Sequence, residues 1–374
     1  MGLTTSKSLD INTIDEQENK IHDLQKKIDE LVEQNILLKT QIDMFSLNYP
    51  ENLTESIKEI QKNHDYEYIV LSGGGIKGLC FPGDFIEIQQ LNILYDKKGL
   101  LKLKGICGVS AGSIMASLIA IGYIPLELER IMLTLNFETL LDDNQGIVRD
   151  TINFIEKWGM SAGNNLHDLL GKLIEKKTGN PDYTLEDLKK DIGISLVLVT
   201  TNISYQRTEY LYAGNKEKAY SQIPIRTAIR MSMGIPCIFE PFTYNNCLFV
   251  DGGTLDNYPL HVFDGEYPGD PKAILNLCPP NPKVLGLMIM SKNEHENYQI
   301  VPKQKLDTLY EYFVSYINMF LTSNERRVMT PSFWLRTIII VTPNYPLSKF
   351  NLSLKEKEEL IEIGKKSVIE FFKP

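Results

Sequence analysis

The chain has 374 residues, of which 43% are hydrophobic and 23% charged, with a formal net charge of −9. This length accommodates one large α/β domain with extensions, or two ordinary domains, and the composition is that of a folded globular chain. The acidic balance argues against nucleic acid as a partner.

The first residues, Met1-Gly2-Leu3-Thr4-Thr5-Ser6-Lys7, show neither the apolar core nor the cleavage site of a secretory signal. They match the pattern M-G-x-x-x-[ST], which makes Gly2 a candidate myristoyl acceptor; the same residues also read as an ordinary polar terminus. One such lipid gives only marginal, reversible membrane binding. The five cysteines, Cys80, Cys107, Cys237, Cys247 and Cys278, are an odd set without a C-x-x-C spacing. Buried reduced thiols fit them better than disulfides or a zinc site. The expected location is therefore the cytoplasm, with membrane association through the N-terminal lipid.

Residues 1–13 are read as a flexible N-terminus and 14–45 as a coiled coil. Ile14, Ile21, Ile28, Asn35 and Ile42 take a positions, and Gln17, Leu24, Leu31, Leu38 and Phe45 take d. Isoleucine at a with leucine at d favours a parallel two-stranded coiled coil, and a single asparagine at a fixes register. A lone amphipathic helix shares much of this pattern, but a 3.5-residue spacing over four heptads points to a homodimer. Residues 46–65 are polar, contain Pro50 and read as a linker with a short helix.

The globular body is expected over 66–374. Strands are predicted at 67–71, 103–107, 194–200, 248–250, 284–290 and 338–341, with helical stretches between them and a charged amphipathic helix over 354–373. Such alternation predicts an α/β fold with a mostly parallel sheet and helices on both faces. From Gly105 to Pro125 there is no charged residue, long enough for a membrane span. Its glycines and serines favour a buried strand, a turn and a buried helix instead.

Three motifs carry chemistry. Gly108-Val109-Ser110-Ala111-Gly112 is a G-x-S-x-G pattern between a predicted strand and helix. A sharp turn there presents the Ser110 oxygen at the top of the sheet, and Gly108 and Gly112 avoid clashes. Gly73-Gly74-Gly75-Ile76-Lys77-Gly78 follows a strand and opens a helix, so it also satisfies the dinucleotide fingerprint. The acidic residue near the required distance, Asp96, lies in a turn rather than at a strand end. The alternative is an oxyanion hole, with the amides of Gly73, Gly74 and Gly75 converging on one oxygen. Lys77 either positions that loop or an anionic head group, or is simply solvated. Asp251-Gly252-Gly253 puts a carboxylate at a strand end, where it can serve as base to Ser110 if burial raises its pKa from the ordinary ~3.9.

Together these motifs resemble the patatin-like phospholipase family. Residues 225–236, IRTAIRMSMGIP, and 251–259, DGGTLDNYP, are also similar to it. The resemblance covers roughly residues 66–370. It implies a three-layer α/β/α domain and a catalytic Ser110–Asp251 dyad without histidine. It also implies oxyanion donors at Gly73, Gly74 and Gly75, and ester hydrolysis on phospholipid or other acyl lipid at a membrane surface. No cofactor and no metal is implied. His261 follows Asp251 in the order Ser…Asp…His of α/β-hydrolases, but no His-Gly-Gly-Gly element is present and a structural role is expected for it. Phe81, Met132 and Phe137 are candidates for an acyl channel, or for core. A transacylase or triacylglycerol lipase with the same dyad, a membrane-tethered non-catalytic scaffold and a nucleotide-binding oxidoreductase are the alternative readings.

Overall fold

The computed structural model describes residues 52–96, 99–142, 157–296, 330–346 and 349–373, together with Lys20, 24–27, 312–313 and 315–316. Gly2 and, apart from Lys20 and the helical residues 24–27, the heptad segment lie outside the described residues. The chain divides into Met1–Glu51 and Asn52–Pro374. The body thus begins earlier than residue 66. Helix α1 (Leu53–Asn63) buries Leu53 and Ile57, and Gln61 Nε2 donates to the Phe371 carbonyl at 3.1 Å. The short helix expected within 46–65 is thus Leu53–Asn63, and it packs on the body rather than serving as a free linker. Two apolar side chains four residues apart suffice to seat it.

The strands are β1 (Tyr68–Leu71), β2 (Gly105–Val109), β3 (Gly159–Ser161), β4 (Ser195–Asn202), β5 (Arg207–Leu211), β6 (Cys237–Phe239), β7 (Phe242–Tyr244), β8 (Cys247–Asp251), β9 (Val284–Ser291) and β10 (Thr337–Thr342). In the main sheet β10, β9, β1, β2 and β4 run parallel in that order. β5, β8 and β7 join antiparallel, while β3 and β6 form a separate parallel pair.

Alternation along the strands divides the interior. Ile69, Leu71, Ile106, Leu196, Leu198, Leu285 and Leu287 face one core, and Val70, Cys107, Val109, Val197, Val199, Val284 and Met288 the other. Both sets are fully apolar, as a sheet covered on both faces requires. The first core is closed by α2 (Phe81–Gln90), α3 (Ala111–Ala120), α4 (Pro125–Thr134), α5 (Asn164–Thr178), α6 (Leu185–Asp191), α7 (Ile225–Ser232) and α8 (Leu354–Phe371). The second is closed by short helical pieces that contribute Leu260, Val262 and Phe333. The architecture is the expected three-layer α/β/α domain. The uncharged stretch from Gly105 becomes β2, a turn and α3. Among the described residues no helix is long and apolar enough to cross a membrane. Phe81 and Met132 are buried in the core; Phe137 is partly buried and packs against it, under the Lys357 ammonium.

One detail of the sheet sets the site. Leu198 and Val199 pair with β2 and β5, while Thr200 to Asn202 pair with β5 and β8. A strand has only two edges, so β5 takes one edge of β4, and β2 and β8 share the other. β2 ends with Val109 opposite Val199, and β8 ends with Asp251 opposite Thr200. The two strands arrive from opposite directions and meet where Ser110 follows Val109.

Candidate active site

Ser110 stands between β2 and α3 with φ 51° and ψ −124°. An L-residue held in such a conformation costs about 1–3 kcal/mol, and persists only where the surroundings impose it. Here they do. A β-carbon on Gly108 would lie 2.3 Å from the Gly112 carbonyl oxygen, and one on Gly112 would lie 2.6 Å from the Ser72 carbonyl oxygen. The turn can close this tightly only with glycine on both sides of the serine. The Ser113 hydroxyl donates to the Ser110 carbonyl at 2.5 Å.

The Ser110 hydroxyl donates to Asp251 Oδ2 at 2.6 Å, and the Gly253 amide donates to Oδ1 at 2.8 Å. Both side chains are almost wholly buried, Ser110 at 3% and Asp251 at 2% exposure. Burial raises the Asp251 pKa from 3.8 to about 7, against the opposing pull of the hydrogen bonds from Ser110 and Gly253. The group thus titrates near neutrality, where a carboxylate is a far better proton acceptor than a solvated aspartate. Gly252 lets β8 turn away close to β4, since a β-carbon there would meet the Val199 carbonyl oxygen at 2.2 Å.

Ser232, at the end of α7, lies in the stretch 225–236 that resembles the family, but its role is found by the structure alone. Its hydroxyl accepts the Ser110 amide at 2.9 Å and donates to the Val199 carbonyl at 2.6 Å. Its carbonyl accepts the Gly252 amide at 3.3 Å. One fully buried serine therefore ties the serine turn, β4 and the D-G-G turn together. No feature of spacing marks it out; it is one serine in M-S-M-G. Two residues before it, Arg230 is buried and donates to the Ala162 and Glu240 carbonyls at 2.7 and 2.8 Å. Desolvation lowers its pKa to about 10, and its guanidinium lies over the Phe239 ring.

The glycine run lies against the serine. A β-carbon on Gly73 would be 3.2 Å from Ser110 Cβ and 2.1 Å from Asn257 Oδ1. Of the three glycine amides expected to point at an oxyanion, that of Gly73 is already spent, donating to the Asn257 carbonyl at 3.0 Å. The reason is register: β1 ends at Leu71, so the first glycine still belongs to the packed strand end. Gly74 and Gly75 are half-exposed, and Gly75 has φ 55°. Among the described residues neither amide donates to a backbone carbonyl outside its own helix. Gly75–Cys80 continues as a 3₁₀ turn into α2, and a β-carbon on Gly78 would lie 2.7 Å from Ala111 Cβ, so this turn packs directly on the start of α3. The field of that helix N-terminus favours negative charge beside Ser110.

His261 stands apart from this chemistry. Its Nε2 lies 3.2 Å from the Tyr210 hydroxyl and 3.7 Å from Asp256 Oδ2. All five cysteines are free. Among the described residues no group of three or more His, Cys, Asp or Glu is arranged to hold a metal.

The model of the family described as patatin-like phospholipase matches residues 69–264. An uncharacterised protein, R571, of Acanthamoeba polyphaga mimivirus is 32% identical over 304 residues, covering 80% of this chain and 91% of its own. A probable lipid hydrolase, 463L, of Invertebrate iridescent virus 6 is 28% identical over 202 residues, or 53% of this chain and 63% of its own. Among solved structures, VipD from Legionella pneumophila superposes with a TM-score of 0.51 at 16% identity, covering 82% of this chain and 67% of its own. That likeness concerns the fold. With the matched region spanning β1, the serine turn and the D-G-G turn, the chain belongs to the patatin-like phospholipase family.

Proposed function

We propose that this chain is a lipid acyl hydrolase of the phospholipase A type, with Ser110 as nucleophile and Asp251 as general base. The observation that carries the reading is the 2.6 Å hydrogen bond from Ser110 Oγ to a buried carboxylate whose pKa burial raises to about 7. The relative named as a probable lipid hydrolase supports the substrate class.

In the proposed cycle Asp251 takes the Ser110 proton as Oγ attacks the ester carbonyl of the lipid. The C=O electron pair moves onto oxygen, and the Gly74 and Gly75 amides with the α3 N-terminus stabilise that charge. Collapse breaks the bond to the leaving alkoxide, which leaves as an alcohol with the proton from Asp251. Water then gives its proton to Asp251, attacks the acyl-serine, and releases the fatty acid with Ser110 restored. No histidine is needed, because the carboxylate touches the nucleophile directly. A myristoylated Gly2 and a dimeric coiled coil would add two weak lipid anchors to this surface activity.

The test is fatty-acid release from mixed phospholipid vesicles by the purified wild type and Ser110→Ala. Release by the wild type alone supports the reading, and the released acyl chain identifies the ester position. Equal release by both proteins removes Ser110 from the mechanism. Release of acyl groups only onto an added alcohol makes the chain a transacylase.

A further inference from the structure

Beyond the serine lies a second feature that the chemistry above does not use. A cavity of about 600 Å³ opens between β5 and the segment 255–276, within the size range of small-molecule sites. One of its walls is Asn257, whose carbonyl holds Gly73 and whose side chain lies against the same point as Ser110 Cβ. The cavity and the serine site are thus neighbours across one residue.

Its charges are informative once the internal pairs are set aside. Arg207 binds Glu209 at 2.8 Å and Glu217 at 3.4 Å, so one guanidinium serves two carboxylates and this cluster keeps a negative excess. Outside that cluster the lining holds one centre of each sign, Asp256 and Lys216. Asp256 takes the Tyr210 hydroxyl at 2.7 Å, with His261 beside it. Lys216 holds its ammonium 5.0 Å over the Tyr267 ring. Tyrosine rings and a carboxylate suit an ammonium, by cation–π attraction and charge. A lysine suits a phosphate as a point charge. A ligand carrying both groups close together is a zwitterion.

The cavity mouth adds an independent observation. The turn after the short helix Pro271–Ile274 places Asn276 at φ 55°. It leaves Ile274, Leu275 and Leu277 exposed at 43%, 65% and 66%. Leu255 and Trp334 are also exposed, and Leu255 and Ile274 line the cavity itself. Leu275 and Leu277 flank the lining residue Asn276, and several large apolar side chains exposed on one turn beside a polar cavity mark an interaction site rather than ordinary surface. Exposed leucine and isoleucine at a cavity that holds a lysine is also the composition of an interfacial anchor.

We propose that this cavity takes the zwitterionic headgroup of a glycerophospholipid while the turn at 274–277 enters the bilayer interface, so that the lipid's ester faces Ser110 across Asn257. The proposal rests on the reading of the chain as a lipid hydrolase only for the last clause. Headgroup and membrane binding are separable from turnover.

The experiment uses the full chain and glycerophosphocholine, which has no ester to cleave, with binding measured by calorimetry. Wild type and Ser110→Ala should bind it alike. Lys216→Glu should weaken binding at least tenfold, and choline or glycerol 3-phosphate alone should bind at least tenfold more weakly than glycerophosphocholine. In sedimentation with phosphatidylcholine vesicles, Leu275→Asp with Leu277→Asp should lose vesicle binding while still binding glycerophosphocholine. These two side chains are exposed, so the fold should survive, and circular dichroism checks this. No binding of glycerophosphocholine by the folded wild type, or equal binding by Lys216→Glu, overturns the headgroup assignment even if vesicles are hydrolysed. Unchanged vesicle binding by the double variant overturns the role of the turn. Headgroup binding without any ester hydrolysis would leave this site standing and sink the hydrolase reading instead.

Discussion

Replacing Asp251 by asparagine separates the chemical role of this carboxylate from its cost to the fold. Asp251 titrates near 7 in the folded chain, against 3.8 in the absence of burial, because desolvation disfavours its charge. Between about pH 4 and 7 the folded state therefore holds a proton that the unfolded state has released. Stability then falls as pH rises through that window and levels off above it. The displacement corresponds to roughly 4 kcal/mol between the two plateaus. Asparagine carries no charge at either pH and keeps an oxygen for the Gly253 amide, so Asp251→Asn should escape this loss. Urea unfolding of both proteins at pH 4 and pH 8, followed by tryptophan fluorescence, measures it. All other titrating groups are common to both proteins and cancel in the comparison. The variant should gain about 4 kcal/mol on the wild type in going from pH 4 to pH 8, while losing hydrolysis at both. A stability difference that does not change with pH would mean that Asp251 titrates as an ordinary aspartate, and the argument for it as a neutral-pH base would fail.

Other outcomes follow from the same geometry. For wild type, kcat/KM on a soluble ester should fall about tenfold per pH unit below about 7, as Asp251 takes up its proton; a profile flat down to pH 5 would contradict this. Ser232→Ala leaves the Ser110 amide without its acceptor in a buried site, which should cost about 1–3 kcal/mol in unfolding experiments. The same variant should lower kcat by about tenfold to a hundredfold through misplacement of Oγ, with KM little changed. Gly112→Ala drives a β-carbon to 2.6 Å from the Ser72 carbonyl oxygen. That should lower stability by about 1–3 kcal/mol and open the serine turn, read as a lower melting temperature together with lost activity.

The parts of this molecule that depend on local pattern were legible in its sequence. The six strands predicted from apolar runs all form, because each is mostly buried and has little polar content to obscure it. β3, β5, β6 and β7 escaped; β3 and β6 have only three residues each and pair only with one another. β5 begins with Arg207 and carries Glu209, and β7 has only three residues. The short helix α1 was expected within a linker, but its packing on the body was not, because its seat rests on just two buried residues, Leu53 and Ile57. At the site, Ser110 and Asp251 were visible because tight turns demand glycine at fixed offsets. Ser232 was not, because its partners are a backbone amide 122 residues away and a backbone carbonyl 33 residues away. The spent amide of Gly73 was hidden for a similar reason, since its acceptor is the Asn257 carbonyl.

The shared edge of β4 has a consequence for how such a site can change over time. Ser110 and Asp251 are 141 positions apart along the chain, yet their separation in space is fixed by the pairing of Val109 and Asp251 with two consecutive residues of β4. Everything between the two turns can lengthen or shorten without moving either group, provided the ladder holds. A slip of one residue in the β8 pairing, by contrast, would turn the carboxylate to the opposite face of the sheet. The site should therefore tolerate insertions of whole loops better than a single insertion within 199–202. Along this edge β4 acts as a ruler, and Val199 and Thr200 are its marks.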